Sequence, residues 1–202
     1  MEKEALKELL VDLQSCGLRY TTAGGLGRQG GAGPANGSAL DFGDYQAVIA
    51  TTGKCIEKSP YSMEMKDKKT ILKKERIIIG NVGISHRPRF YDLQTKDGVP
   101  YWKIALVHGK DCLASTVFQA CCRWNTPDQC QFCSIGTSLD EQQTILCKTP
   151  EQLAETAEAA VRLDGIRHMT LTAGSTLHPE DGIRYLAKCA VSIRNRVPQL
   201  PI

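Results

Sequence analysis

Apolar positions near the start of the chain recur at Leu6, Leu9, Leu10 and Leu13. That i, i+3, i+4, i+7 spacing lays one apolar stripe along a helix, and Gly17 stands where the helix can close. Seven of the 18 glycines then fall between Gly24 and Gly37, and periodicity disappears. Short runs rich in Val and Ile follow at Tyr45–Thr51, Arg76–Ser85 and Lys103–His108. Turn residues such as Asp97-Gly98 separate them, and each reads as a strand. The basic stretch Lys66–Lys74 interleaves no aromatic residue for base stacking, so it reads as a solvated hairpin or loop. Residues 1–110 are therefore expected to form a small α+β N-terminal unit.

The pattern changes at Cys112. Cys112–Gln119 reads as a strand, and a cysteine-rich loop runs from there to about residue 147. Thr149-Pro150-Glu151-Gln152 is a helix start: Thr149 caps, Pro150 takes the first helical position, and Gln152 completes a capping box. Leu153, Ala157, Ala160 and Val161 form the buried stripe of that helix, and Gly165 ends it. Ile166–Thr172 is the next strand. A second helix is predicted over Pro179–Asn195, with Ile183, Leu186, Ala187, Ala190 and Val191 inward. Leu200-Pro201-Ile202 reads as entry into a third strand.

Strand, helix, strand, helix and strand in that order make βαβ units and a parallel sheet. The fold class expected is α/β, with residues 111–202 the N-terminal part of a partial TIM-like (β/α) barrel. A closed eight-unit barrel takes roughly 250 residues, so two units and the start of a third read as a truncated one. Such a fragment, with a strand edge left open, is expected to self-associate and to be incomplete and inactive as an enzyme on its own.

Composition narrows the class without naming a function. The 202 residues are 42% apolar and 23% charged, an ordinary globular balance, and the net charge is +3. That charge gives no ground for a nucleic-acid or membrane partner. No apolar run reaches the ~20 residues of a bilayer span. The charged opening Met1-Glu2-Lys3-Glu4 is unlike a secretory signal, so a cytoplasmic protein is expected.

Nine cysteines are the anomaly: an odd number without an export signal argues against a disulfide framework. Cys121, Cys122, Cys130 and Cys133 crowd into one loop after the first barrel-like strand. Active sites of parallel α/β sheets form at that end of the strands. Cys130-x-x-Cys133 brings two thiolates to one metal or cluster face, and Cys121 or Cys122 supplies a third. Zinc needs a fourth ligand, for which Cys147 or His168 would serve. A [4Fe–4S] cluster on three cysteines keeps one iron open to a substrate or cofactor. Other signals are weaker. Gly25-x-Gly27-x-x-Gly30 matches a dinucleotide fingerprint but lacks its strand and helix, and a flexible loop is the leading reading. His86, His108, His168 and His178 are scattered, and Cys16, Cys55 and Cys189 read as packed or surface thiols. Arg123 and Trp124 are candidates to line a cofactor pocket, with a packed Trp as the default.

The cysteine loop resembles the signature of the radical S-adenosylmethionine superfamily, Cys-x3-Cys-x2-Cys with an aromatic residue before the last cysteine. Phe132 holds the aromatic place, while the first spacing is longer than usual. Gly31-Ala32-Gly33-Pro34, Val99-Pro100-Tyr101-Trp102-Lys103-Ile104-Ala105-Leu106, Asp111-Cys112-Leu113-Ala114-Ser115-Thr116 and Gln131-Phe132-Cys133-Ser134-Ile135 are similar to a bacterial branch found in nitrilase gene neighbourhoods. The resemblance implies a [4Fe–4S] cluster on Cys121, Cys130 and Cys133, with Cys122 as the alternative first ligand. The residue spacing before the Arg123-Trp124 pair in that branch favours Cys121. It implies S-adenosylmethionine as the second cofactor, contacted at Phe132 and at Ala173, Gly174 and Ser175, where the superfamily carries a Gly-Gly-Glu-like segment. The acidic residue of that segment is missing here. It further implies an enzyme that cleaves S-adenosylmethionine reductively to a 5′-deoxyadenosyl radical, acts on a small-molecule substrate, and draws electrons from a flavodoxin- or ferredoxin-type donor. The rival readings are a non-catalytic zinc-binding module and an iron–sulfur electron carrier. No catalytic side chain is assigned.

Overall fold

A computed structural model describes residues 2–20, 37–43, 45–51, 56–66, 69–84, 87–133 and 135–202. The glycine-rich stretch with its fingerprint, together with Cys55 and His86, lies outside the described residues. The described chain forms two compact units, one up to residue 84 and one from residue 87.

In the first unit, helix α1 (Lys3–Cys16) buries Leu6 and Leu13, and Gly17 closes it, as the spacing predicts. Six strands follow: β1 (Arg19–Tyr20), β2 (Gly37–Asp41), β3 (Gln46–Ala50), β4 (Tyr61–Lys66), β5 (Lys69–Lys74) and β6 (Ile77–Ile84). They form one sheet in the order β1-β4-β5-β6-β2-β3, parallel only between β1 and β4. The N–H of Leu18, just before β1, donates to the Ala50 carbonyl at the end of β3 at 2.9 Å, so the two outer strands meet. Alternating residues of the strands meet Leu13 and Leu18 in one core: Leu40, Ile49, Met63, Leu72 and Val82. The basic stretch is the β4–β5 hairpin, as expected from its lack of aromatics.

The second unit begins with a 3-10 turn at Arg89–Asp92, whose Phe90 and Tyr91 are buried. The Asp164 carboxylate accepts the N–H groups of Arg89 and Phe90 at 2.8 and 3.0 Å and so caps that turn. Helix α2 (Tyr101–Ile104), β7 (Leu106–His108), β8 (Cys112–Thr116), the short α3 (Thr137–Asp140), α4 (Pro150–Asp164), β9 (His168–Thr172) and α5 (Pro179–Arg196) complete it. The sheet order is β7-β8-β9. β7 runs antiparallel to β8, and β8 runs parallel to β9. The chain is thus mixed α/β, with one parallel βαβ unit built from β8, α4 and β9.

The capping box of α4 is present. The Thr149 hydroxyl accepts the Gln152 N–H at 3.1 Å, and Gln152 Oε1 accepts the Thr149 N–H at 2.9 Å. Gly165 ends the helix at φ 68°, a left-handed conformation that costs glycine little.

Four expectations need correction. The boundary near residue 110 lies at about 86 instead, because Phe90, Tyr91, Tyr101, Ile104 and Leu106 belong to the core of Leu113, Leu153 and Met169. Of the strand expected over Lys103–His108, only Leu106–His108 is extended, while Lys103 and Ile104 belong to the helix Tyr101–Ile104: Pro100 precedes it, and Tyr101 and Ile104 are buried at helical spacing. On α5 the buried residues are Cys189 and Ile193, with Tyr185 and Leu186 packed beside them, while Ile183 and Val191 are 67% and 58% exposed. Leu200–Ile202 forms no strand, although the Pro201 carbonyl accepts the Met169 N–H at 2.8 Å on the free edge of β9.

The two faces of the β8–β9 pair differ. Leu113, Val117 and Met169 are buried with the helices. Thr116, Thr170 and Thr172 alternate with them on the opposite face, where Thr116 Oγ1 and Thr172 Oγ1 lie 3.0 Å apart. No described helix is long and apolar enough to cross a membrane.

Candidate metal centre

The cysteine loop leaves the carboxyl end of β8 and stays zipped to the segment leaving β9. The Val117 N–H donates to the Thr172 carbonyl at 2.7 Å, the Gly174 N–H to Phe118 O at 2.8 Å, and the Cys122 N–H to Ser175 O at 2.8 Å. A Cβ at position 174 would collide with the Ala120 carbonyl, so only glycine allows this approach. Cys121 and the 173–175 segment, which the sequence assigns to one site, are therefore neighbours.

Beyond Cys122 the loop is a series of tight turns. The Trp124 N–H donates to Cys121 O at 3.0 Å, Gln129 N–H to Thr126 O at 3.0 Å, and Cys133 N–H to Cys130 O at 3.1 Å. Asn125 sits at φ 58°, and its N–H is held by the Gln129 side-chain carbonyl at 2.8 Å. The Trp124 indole lies flat against Gly136, where a Cβ would strike the ring. This contact joins the first half of the loop, at Cys121–Asn125, to the residues just after Cys133. Trp124 is thus the packed residue that the sequence takes as the default.

The two neighbouring cysteines have different surroundings. Cys121 is half-buried, and the polar groups beside it that favour its ionised form are first the backbone N–H of Arg123 and then the N–H and hydroxyl of Ser175. Partial burial opposes them, yet together they hold the thiol below its ordinary range and favour the thiolate a metal needs. Cys122 is exposed and engages Ser175 through its backbone instead. Cys130 is exposed, Cys133 is half-buried, and Phe132 is 98% exposed.

Among the described residues no three His, Cys, Asp or Glu side chains are gathered closely enough to hold a metal ion. Cys147 packs against α5 instead, its sulfur 3.4 Å from Tyr185 Oη. His108 ends β7, His168 begins β9 and His178 immediately precedes α5. In donor chemistry the loop offers what an iron–sulfur cluster takes: Cys121, Cys130 and Cys133 are thiols on one strand-end loop. Ligands of this kind are commonly drawn together by the metal itself.

Sequence reasoning missed Lys148. Its side chain is buried, with the residue 2% exposed, and Nζ donates to the Thr116 carbonyl at 2.6 Å and to Thr144 Oγ1 at 2.8 Å. Burial lowers its pKa to about 8, because the charged form loses hydration. A lysine beside a helix cap has the same local spacing whether it is solvated or buried, so only packing reveals it. Gln119 Oε1 and Ser138 Oγ, on either side of the cysteines in sequence, are also buried and have no hydrogen-bond partner among the described residues.

No protein-family model, no curated protein and no solved structure matches the chain.

Proposed function

We propose that this chain is a radical S-adenosylmethionine enzyme or the N-terminal part of one. In this reading β8-α4-β9-α5 are the first two units of a partial (β/α) barrel, and Cys121, Cys130 and Cys133 hold a [4Fe–4S] cluster. The observation that carries the reading is that the cysteine loop, at the carboxyl end of β8, is held against the exit segment of β9: the Cys122 N–H donates to Ser175 O at 2.8 Å and the Gly174 backbone lies against the Ala120 carbonyl. Together the cluster and S-adenosylmethionine supply a one-electron cleavage that generates a 5′-deoxyadenosyl radical.

The protein's own residues bind, orient and exclude water. Ser175 orients Cys121, and Gly174 lets the exit loop of β9 lie against Ala120. The Thr172–Thr176 segment contains no carboxylate, so its contribution to the methionyl amino group is limited to backbone carbonyls and hydroxyls. Phe132, 98% exposed, would contact adenine once the loop closes on its cluster. The hydroxyls of Thr116, Thr170 and Thr172 give the sheet face opposite the helices a polar floor for a small-molecule substrate. Electrons would come from a flavodoxin- or ferredoxin-type donor.

The test is anaerobic reconstitution of the chain with iron and sulfide, followed by metal analysis and a 5′-deoxyadenosine assay after reduction with S-adenosylmethionine present. Iron and sulfide below a full complement of about four irons per chain, and slow release of 5′-deoxyadenosine, are expected. Tight zinc uptake in place of iron would replace this reading with a zinc module. A stable cluster without cleavage would replace it with an electron carrier.

A further inference from the structure

We infer that Lys148 is the positioning residue that locks the two ends of the cysteine loop together; this rests on the functional reading above. The loop leaves the sheet at Val117 and returns at Lys148. There the Lys148 N–H donates to Val117 O at 2.9 Å, and the Gln119 N–H donates to Leu146 O at 2.8 Å. A short antiparallel clamp, with Phe118 bridged to Cys147, therefore closes the base of the loop. The Lys148 side chain spans the same junction. Nζ bonds the carbonyl of Thr116, the last residue of β8, and the hydroxyl of Thr144. Thr144 in turn donates to the Lys103 carbonyl at 3.2 Å, at the last turn before β7.

One buried side chain thus ties the outgoing strand, the returning segment and the neighbouring helix α2. Its partners are a carbonyl and a hydroxyl, and the described residues give it no carboxylate. A buried ammonium without a counter-charge is costly for a fold. Both hydrogen bonds fix the loop base, and the polar rule is broken where a loop bearing the cysteines must keep one register. That register sets the Cys122 N–H on the Ser175 carbonyl at 2.8 Å and so fixes the start of the cysteine segment, because Gln119 is clamped two residues before Cys121. Lys148 follows Cys147 in the chain, makes no hydrogen bond to Cys121, Cys130 or Cys133, and acts on them through the backbone.

The test uses the full chain with Lys148→Met, which keeps the length and removes both donors, and Thr144→Val, which removes the acceptor and keeps the amine. Amide hydrogen exchange on the cluster-free chain is the first readout. Exchange should accelerate about fivefold or more in peptides covering 117–124 and 144–149, with α5 and the β4–β5 hairpin unchanged. The second readout is cluster retention against a chelator after reconstitution, expected to fall about tenfold in both variants. Unchanged exchange at 117–124 in both variants, or exchange that rises equally everywhere, would overturn the lysine's role. A wild-type chain that takes up no cluster while the variants still show the local exchange effect would overturn the functional reading and leave the clamp standing.

Discussion

The backbone of Gly174 lies directly against the carbonyl of Ala120, with no room for a side chain between them. The two loops that leave the parallel strands β8 and β9 are therefore in van der Waals contact at the point where Cys121 begins the cysteine segment. Gly174→Ala must push them apart. It should cost about 1–3 kcal/mol by urea denaturation, the usual range for overpacking a filled site. It should also reduce iron retention after reconstitution. An alanine variant with unchanged stability and iron content would mean that the loops need no such contact.

Cys121 and Cys122 are adjacent in sequence and unlike in surroundings. Cys121→Ala should lose the cluster, and Cys122→Ala should keep it, as counted by iron and sulfide per chain. Cys130→Ala and Cys133→Ala should each lose it as well, because too few thiolates then remain to hold the irons. Cluster loss in the Cys122 variant alone would move the first ligand by one residue.

Helix α5 offers a test of packing against periodicity. Ile193 is fully buried beside Cys189, whereas Ile183 is 67% exposed. Ile193→Ala should destabilise the second unit by about 2–5 kcal/mol, and Ile183→Ala by less than about 0.5 kcal/mol. Thermal denaturation of the two variants separates them. Equal losses would return Ile183 to the core, where simple helical spacing puts it.

Lys148 should make stability depend on pH in an unusual window. Its folded pKa, about 8, lies below the ordinary lysine value of 10.5. Between those values the unfolded chain holds the proton and the folded chain does not, so folding gains as pH rises. The burial penalty is complete below pH 8 and gone above about 10.5. Measured as the difference between wild type and Lys148→Met, stability should rise by about 3 kcal/mol across that window. A flat difference would mean that the amine is solvated.

Local signals were legible wherever a few neighbouring residues decide the outcome. The stripe of α1, the Thr149–Gln152 capping box and Gly165 all follow from the sequence, since each depends on side chains within a turn or two. The alternation of strand and helix likewise specified the β8-α4-β9 unit, because parallel pairing requires a crossover. The crowding of cysteines marked the candidate centre.

Tertiary packing decided the rest. Which face of α5 turns inward depends on α4 and β9, which the helix's own spacing does not encode. The unit boundary moved because Phe90 and Tyr101 find their apolar partners on later elements. The difference between Cys121 and Cys122 comes first from the local turn that brings in the Arg123 N–H, and then from Ser175, brought close by the pairing of β8 with β9. The burial of Lys148 arises where β8, α2 and the returning loop meet. Burial belongs to surfaces that meet across the fold, and residues far apart in the chain supply them.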